Sequence, residues 1–162
     1  MNRFNYLIEK KEYLYMAMLA LLLIFPSCSS SNKEDDKLLI KNIIITYTTE
    51  LEKTYKNFDL NLLPQITTKN EIKRIETLLQ VLKRNKENLP FSIEKLIINE
   101  IHLKSKHEAE ADTIEIWKYS SLPLSSSRAS HKTKIQKYNV HYVFFKEQGI
   151  WKIDKVQMHP IN

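Results

Sequence analysis

Apolar residues in the first half of the chain recur at helical spacing. Between residues 36 and 58 they fall three or four apart, which places them on one face of a helix. They are Ile40, Ile44, Tyr47, Leu51, Tyr55 and Phe58. The run Ile43–Thr46 has β propensity, but the longer helical period outweighs that local preference. The pattern therefore predicts a first helix over residues 36–58.

A second helix is predicted over residues 69–88. Thr68 precedes its first turn and Glu71 follows three residues later, which is the sequence pattern of a capping box. The connector between the helices, residues 59–65, is rich in turn formers, and we interpret Pro64 as a helix breaker there.

Beyond Pro90 the period of the apolar positions changes from helical to two, as in strands. Four strands are predicted, over residues 93–104, 108–119, 133–146 and 150–159. Gly149 is the only glycine of the chain and lies between the last two, where a hairpin turn favours a positive φ. Residues 120–132 are predicted to form a surface loop or a lid.

The order of these elements predicts an α+β fold, with two N-terminal helices packed on a four-stranded antiparallel meander. The last hairpin, with Gly149, Trp151, Lys152 and Ile153, resembles the end of the NTF2-like cone fold. The layout is similar to abbreviated NTF2-like domains of lipoproteins and of some plastid-division proteins. The resemblance implies a concave sheet covered by helices. It leaves function open, because this superfamily includes isomerases, dehydratases, binding modules and inert adaptors.

The N-terminus has a polar start, an apolar run over residues 16–25, and then Pro26, Ser27 and Cys28. That order is typical of a secretory signal peptide, since the apolar run is too short to span a bilayer. It resembles a bacterial lipoprotein signal, which implies that Cys28 is lipidated, with palmitate among the acyl chains. The predicted organisation is a signal peptide (1–27), a disordered tether (28–37) and one domain (38–162). The alternative is an uncleaved apolar N-terminus with an incidental cysteine.

The acidic stretch just after the cysteine, Lys33-Glu34-Asp35-Asp36, resembles a signal found in surface-exposed lipoproteins of some Gram-negative lineages. An ordinary solvated tether explains the same residues. The implied location is the cell envelope, at the outer membrane or cell surface in a Gram-negative host.

Composition excludes several function classes. One glycine cannot supply a P-loop, a dinucleotide fingerprint or a nucleophile elbow. Cys28 is the only cysteine, so the domain has neither a disulfide nor a thiolate metal site. The net charge is +6, but the basic residues alternate with acids, which is typical of a solvated surface and not of nucleic-acid binding.

The resemblance to the cone fold implies that a proton-transfer enzyme of this type would place an Asp with a His or Tyr inside its pocket. Asp112 shares a strand face with Ile114 and Ile116, so we consider it an inward candidate. The other candidate pocket residues are Trp117, Tyr138 and Tyr142. Asp154 and His141 are predicted to lie outside the cone. Core packing is the default interpretation of the aromatic residues, and a structural role is the favoured interpretation of Asp112.

Glu108, Glu110 and Asp112 alternate along one strand next to His107, which raises the question of a metal site. No His-x-x-x-His or equivalent spacing accompanies them, so we interpret the segment as a solvated strand edge. Neither a metal nor a cofactor is predicted.

The function predicted from sequence is that of a lipid-anchored binding or interaction protein without catalysis, whose partner is a protein or a small apolar ligand. Two alternatives remain: a small-molecule-binding or proton-transfer enzyme using Asp112 and the pocket tyrosines, and an immunity-type protein that binds a toxin. The enzyme requires an inward carboxylate in an open pocket. An interaction module requires an exposed apolar or charged patch, and its cone can be filled.

Overall fold

The computed structural model describes residues 33–60, 62–85, 91–120 and 133–161. Within them, three helices precede four strands: α1 (Lys33–Asn57), α2 (Leu63–Ile66), α3 (Lys69–Asn85), β1 (Phe91–Leu103), β2 (Glu108–Ser120), β3 (Thr133–Glu147) and β4 (Ile150–Ile161). The strands form one antiparallel sheet in the order β1-β2-β3-β4. The predicted α+β architecture is confirmed. Cys28 and the predicted loop beyond Ser120 lie outside the described residues.

The helices pack against one face of the sheet, called the inner face below; the opposite face is called the outer face. The core contains the predicted apolar stripe of α1 together with inward residues of the sheet. Its fully buried members include Ile40, Ile44, Tyr47, Leu63, Ile75, Val140, Tyr142, Phe144 and Ile153. Among the described residues, no helix is long and apolar enough to cross a membrane.

Helix α1 begins earlier than predicted, inside the segment assigned to a disordered tether. Asp36 is buried, and its Oδ1 accepts hydrogen bonds from Trp151 Nε1 at 2.7 Å and from Lys146 Nζ at 2.9 Å. These contacts fix the first turn of α1 to the β3–β4 hairpin. The prediction of a disordered tether is therefore wrong for residues 33–37.

The connection between α1 and α3 also differs from the prediction. Pro64 stands at the start of α2, where its missing N–H costs nothing, so it initiates a helix and does not break one. The capping box does not form: Thr68 Oγ1 donates to Asp154 Oδ1 at 2.7 Å, and the Glu71 carboxylate binds other partners. The Thr68 N–H donates to the Ile153 carbonyl at 2.8 Å and so joins the start of α3 to β4.

Strand β1 does not keep a simple period of two. Its pairing with β2 shifts between Ile93 and Lys95 and again between Ile98 and Glu100. Each shift is a bulge, which inserts one extra residue and resets the alternation of faces. The β3–β4 turn agrees with the prediction, since Gly149 has φ +84° and follows Gln148 at φ +49°.

Candidate functional site

Asp112, the carboxylate considered an inward candidate, lies on the outer face. Its side chain is 54 % exposed, and its Oδ1 lies 2.8 Å from Nδ1 of His141. The buried positions of β2 are the odd-numbered ones from residue 109 to residue 117. The prediction relied on Ile114 and Ile116, which share a strand face with Asp112. Both are half-buried, and that face is the outer one. The inward prediction is wrong, whereas the outward position of His141 agrees with the prediction.

The three aromatic candidates, Trp117, Tyr138 and Tyr142, lie on the inner face. Trp117 and Tyr142 are buried, and the Trp117 ring stacks on Phe91 with centroids 4.4 Å apart. Tyr138 is half-buried, and its hydroxyl accepts a hydrogen bond of 3.0 Å from Tyr119. These residues belong to a packed aromatic core.

Glu115 is the inward carboxylate of β2, and sequence reasoning missed it. Its side chain is completely buried. Its Oε1 accepts hydrogen bonds from Tyr142 at 2.6 Å and Thr113 at 2.9 Å. Its Oε2 accepts one from Trp117 Nε1 at 2.8 Å. The alternation along the strand could have identified it. Thr113, Glu115 and Trp117 share one face of β2, and Asp112 lies on the other.

A second buried carboxylate lies across the core, on α3. Glu71 Oε1 accepts a hydrogen bond of 2.5 Å from Tyr47 and one of 2.6 Å from Arg74 Nη2. Arg74 Nε donates to Glu71 Oε2 at 2.8 Å, and this pairing raises the pKa of the guanidinium. The Tyr47 ring meets the Tyr142 ring edge-on, with centroids 6.0 Å apart. The two carboxylates therefore lie on either side of a tyrosine pair.

Both tyrosines of this pair are held in the neutral form. Burial raises the pKa of Tyr142 well above 10.0, and the negative charge of Glu115 raises it further. Burial likewise raises the pKa of Tyr47, with Glu71 adding to the effect. Neutral phenols donate hydrogen bonds to the carboxylates, which partly compensates the cost of burying them.

A carboxylate within hydrogen-bonding distance of a phenol is one pair of groups that can carry out proton transfer. Proton transfer also requires contact between one of these groups and a substrate. Glu115 has no exposed surface, and its two oxygens already accept three hydrogen bonds. In this arrangement the carboxylate serves to orient Tyr142, Trp117 and Thr113.

Asp154 lies outside the inner core, as predicted, at the extra residue of a bulge opposite Val143 and Phe144. It borders an open groove of about 770 Å³ between the start of α3 and β4. Its Oδ1 accepts hydrogen bonds from Thr68 at 2.7 Å and from Asn70 at 3.0 Å. The Asp154 carboxylate is therefore held by two neighbouring side chains at the start of α3.

The outer face carries an apolar strip, here called the outer strip, formed by Ile97, Ile114 and Ile116. Ile97 is 38 % exposed and pairs directly with Ile114 across β1 and β2. Ile116 lies between Lys95 and Lys137 in neighbouring strands. Among the described residues, no helix packs on this face.

Charged groups of opposite sign flank the outer strip. Near the Ser120 end of β2 the neighbours are Lys95, Lys118 and Lys137. Towards the start of β2 they are Glu100, Glu110 and Asp112. Some are paired within the sheet: Lys104 Nζ lies 2.8 Å from Glu110 Oε2. The outer face is therefore an exposed surface that combines apolar and charged groups.

The carboxylates considered for a metal site share this outer face. Glu110 is paired with Lys104 and Asp112 with His141. Within the described ranges, no group of three or more His, Cys, Asp or Glu side chains is arranged to hold a metal ion.

A family model described as "ARC6-like, IMS domain" matches residues 52–154, which is more than half of the chain. No curated protein matches the chain significantly. Among solved structures, the intermembrane space region of chloroplast protein ARC6 aligns with TM-score 0.64 and 14 % identity, covering 75 % of this chain and 95 % of that one. This likeness and the observed topology together confirm the predicted α+β fold, in which helices pack on a four-stranded antiparallel sheet.

Two further structures align less closely. An NTF2-like protein involved in plasmid conjugation aligns with TM-score 0.41 and 9 % identity, over 62 % of this chain and 39 % of that one. A calcium/calmodulin-dependent protein kinase II association domain from Xanthomonas campestris aligns with TM-score 0.43 and 14 % identity, over 75 % and 85 % of the two chains.

Proposed function

Since the chain belongs to the ARC6-like, IMS domain family, we propose that it is a non-catalytic protein-interaction domain, held at a cell envelope by a lipid on Cys28. The observation that carries this proposal is the contrast between the two faces of the sheet. The inner face is filled by helices and a sealed carboxylate network, whereas the outer face is exposed.

The sealed network argues against the proton-transfer alternative. Glu115 has the phenol of Tyr142 in hydrogen-bonding distance but no exposed surface, and Asp112 is exposed but lies outside the core. An acid that meets no substrate does not transfer a proton to one.

The outer strip has the composition of a recognition surface. Its isoleucines supply apolar area, and the flanking charges supply orientation, because charge complementarity steers a partner and fixes its register. A protein partner of matching pattern, an apolar ridge between basic and acidic groups, fits this face.

The proposed anchor rests on the sequence. The apolar run over residues 16–25 ends shortly before the only cysteine of the chain. Fatty-acid labelling and intact mass in a bacterial host test it, with Cys28→Ala as the variant. We expect the wild type to yield a lipidated protein that begins at Cys28, and we expect the Cys28→Ala variant to yield none. An unmodified, uncleaved chain in both strains would refute the anchor.

The interaction surface is tested separately by site-specific photocrosslinking in cells. A photoreactive amino acid at position 97 lies on the outer strip, and one at position 81 on α3 is the matched control, since Ile97 and Val81 are 38 % and 42 % exposed. We expect a discrete adduct from position 97 that is lost when Ile114 is changed to Glu. Equal adducts from both positions, or none from position 97, would contradict the proposed surface.

A further inference from the structure

We infer that the partner of the outer strip is a second copy of this chain. The two sheets pack with their outer faces together, about a two-fold axis that crosses the strands at the level of Ile97 and Ile114. This inference rests on the proposed function, because it names the partner of the surface proposed there. It requires a property that other partners do not require, namely that the surface is complementary to itself.

Charges on β2 are placed symmetrically about Ile114 and have opposite signs. Lys118 lies four residues after Ile114 and Glu110 four residues before it, so both side chains are on the outer face. Each is about 13 Å from Ile114 along the strand. The two-fold axis reverses the strand direction in the second copy. It therefore brings Lys118 of one copy over Glu110 of the other.

The charges nearer the axis show the same opposition. Lys95 and Lys137 flank β2 on one side of Ile114, two residues along the strand. Glu100 and Asp112 are paired across β1 and β2 on the other side, also two residues along β2. Rotation about the axis places the lysines over the carboxylates. An axis parallel to the strands would place lysines over lysines, so the charges select one orientation.

The charged side chains on β2 remain accessible to a partner. The side chains of Lys118 and Glu110 are 44 % and 32 % exposed. Within the sheet, Lys118 lies 3.9 Å from Glu94, and Glu110 lies 2.8 Å from Lys104. Such exposed ion pairs contribute little, so a second copy can compete for these groups.

Apolar side chains on β3 follow the same symmetry. Asn139 pairs with Ile114 and so lies at the level of the axis. Ile135, which is 65 % exposed, lies four residues before Asn139, and Val143 lies four residues after it. The rotation brings Ile135 of one copy over Val143 of the other. This contact removes a strongly exposed isoleucine from water, which favours association.

The outer face is large enough for a stable dimer. Strand β2 has 13 residues, and the sheet has four strands. At the usual spacings of a sheet, these dimensions are about 43 Å by about 19 Å, or roughly 800 Å². Each partner of a standard interface buries about the same area, ~800 Å².

The test exchanges the charges that face each other across the axis. A Lys118→Glu chain is acidic at both positions 110 and 118, and a Glu110→Lys chain is basic at both. Each variant therefore repels a copy of itself. The two variants attract each other, because every facing pair then has opposite signs.

The assay uses two copies of the full chain with different epitope tags, expressed together in a bacterial host. A photoreactive amino acid at position 97 of one copy captures the other copy, which gives an adduct that contains both tags. We expect this adduct from the wild type and a loss of about tenfold or more when either variant is paired with itself. We expect recovery when Lys118→Glu is expressed with Glu110→Lys.

Two further variants make the result specific. Lys73→Glu makes the same charge change at an exposed position on α3 and leaves the adduct intact. Lys95→Glu with Glu100→Lys repeats the exchange on β1, so the test does not depend on the folding of one pair of variants. Urea denaturation of each chain confirms that it is folded.

The outcomes separate this inference from the proposed function. An adduct at position 97 with a different protein, and none with both tags, would overturn the inference and leave the proposed interaction surface standing. No adduct at position 97 would overturn both. A doubly tagged adduct that survives in each self-paired variant, or that folded mixed pairs fail to restore, would show that the copies do not meet in this orientation and would also overturn the inference.

Discussion

Glu115 shows at the scale of a single residue how a buried charge is accommodated. Thr113, Trp117 and Tyr142 each donate a hydrogen bond to it, and in the described residues no cation is paired with it. Neutral donors stabilise the carboxylate only while all are correctly placed. The same carboxylate therefore fixes the orientation of three side chains on β2 and β3.

Replacing this carboxylate by an amide is expected to destabilise the fold. Glu115→Gln replaces one acceptor oxygen of the carboxylate by an NH2 group, which is a donor. One oxygen then faces three donors, so at least one donor loses its partner. We expect a loss of about 1–3 kcal/mol in the free energy of unfolding, measured by urea denaturation. Asp112→Asn on the exposed face of the same strand is the control, expected within about 0.5 kcal/mol. A Glu115→Gln protein as stable as the wild type would contradict this account.

The tyrosine pair gives the stability of the fold a defined response to alkaline pH. The pKa of Tyr47 and of Tyr142 is raised in the folded state above 10.0, the ordinary value that applies in the unfolded chain. The stabilisation is therefore complete below the unfolded value and is lost as the pH rises above it. We expect the free energy of unfolding, measured by urea denaturation, to fall as the pH rises above 10.0, less steeply in Tyr142→Phe. Equal slopes in the two proteins would contradict this prediction.

At the scale of elements, α1 is held at both ends by contacts distant in sequence. Its first turn binds the β3–β4 hairpin through Asp36, and near its last turn the Glu52 carboxylate accepts a hydrogen bond from the Ile93 N–H of β1. Strand β1 adapts to this packing by two bulges, which keep Leu96 and Ile98 on the inner face. The helix and the edge strand thus fix each other's position.

Removing the first of these contacts is expected to loosen the start of α1. Asp36→Ala leaves Trp151 Nε1 and Lys146 Nζ without their acceptor in a buried place. We expect faster amide hydrogen exchange in the first three turns of α1, with slow exchange retained in β2 and β3. Asp35→Ala, in the same turn but exposed, is the matched control. Unchanged exchange in Asp36→Ala would show that the hairpin contact does not hold the helix.

At the scale of the whole molecule, the sheet has one face that the helices cover and one face on which, in the described part of the chain, no helix packs. Successive residues of β1 belong to different sides: Leu96 packs against the core, whereas Ile97 is 38 % exposed on the outer strip. Stability and the proposed recognition therefore belong to opposite faces, and substitutions can separate the two.

A pair of adjacent substitutions measures this separation. Leu96→Glu places a charge against the core and is expected to destabilise the fold by more than about 2 kcal/mol. Ile97→Glu leaves the free energy of unfolding within about 1 kcal/mol, because the new charge is solvated, but abolishes crosslinking from a photoreactive amino acid placed at position 114, its neighbour on the outer strip. Chemical denaturation and the crosslinking assay together measure both effects. A large loss of stability in Ile97→Glu would argue that this face is not open.

The sequence by itself determined what depends on neighbours along the chain. The spacing of apolar residues located the two long helices, the period of two located the strands, and Gly149 marked the hairpin that needs a positive φ. Only the tertiary structure decided which face of β2 is inside. Both phases carry apolar residues, and alternation cannot choose between Ala109 with Trp117 and Ile114 with Ile116. Helix packing made that choice, and it placed Glu115 inside and Asp112 outside. The start of α1 was likewise set by Trp151, 115 residues away from Asp36, through a contact that no local pattern encodes.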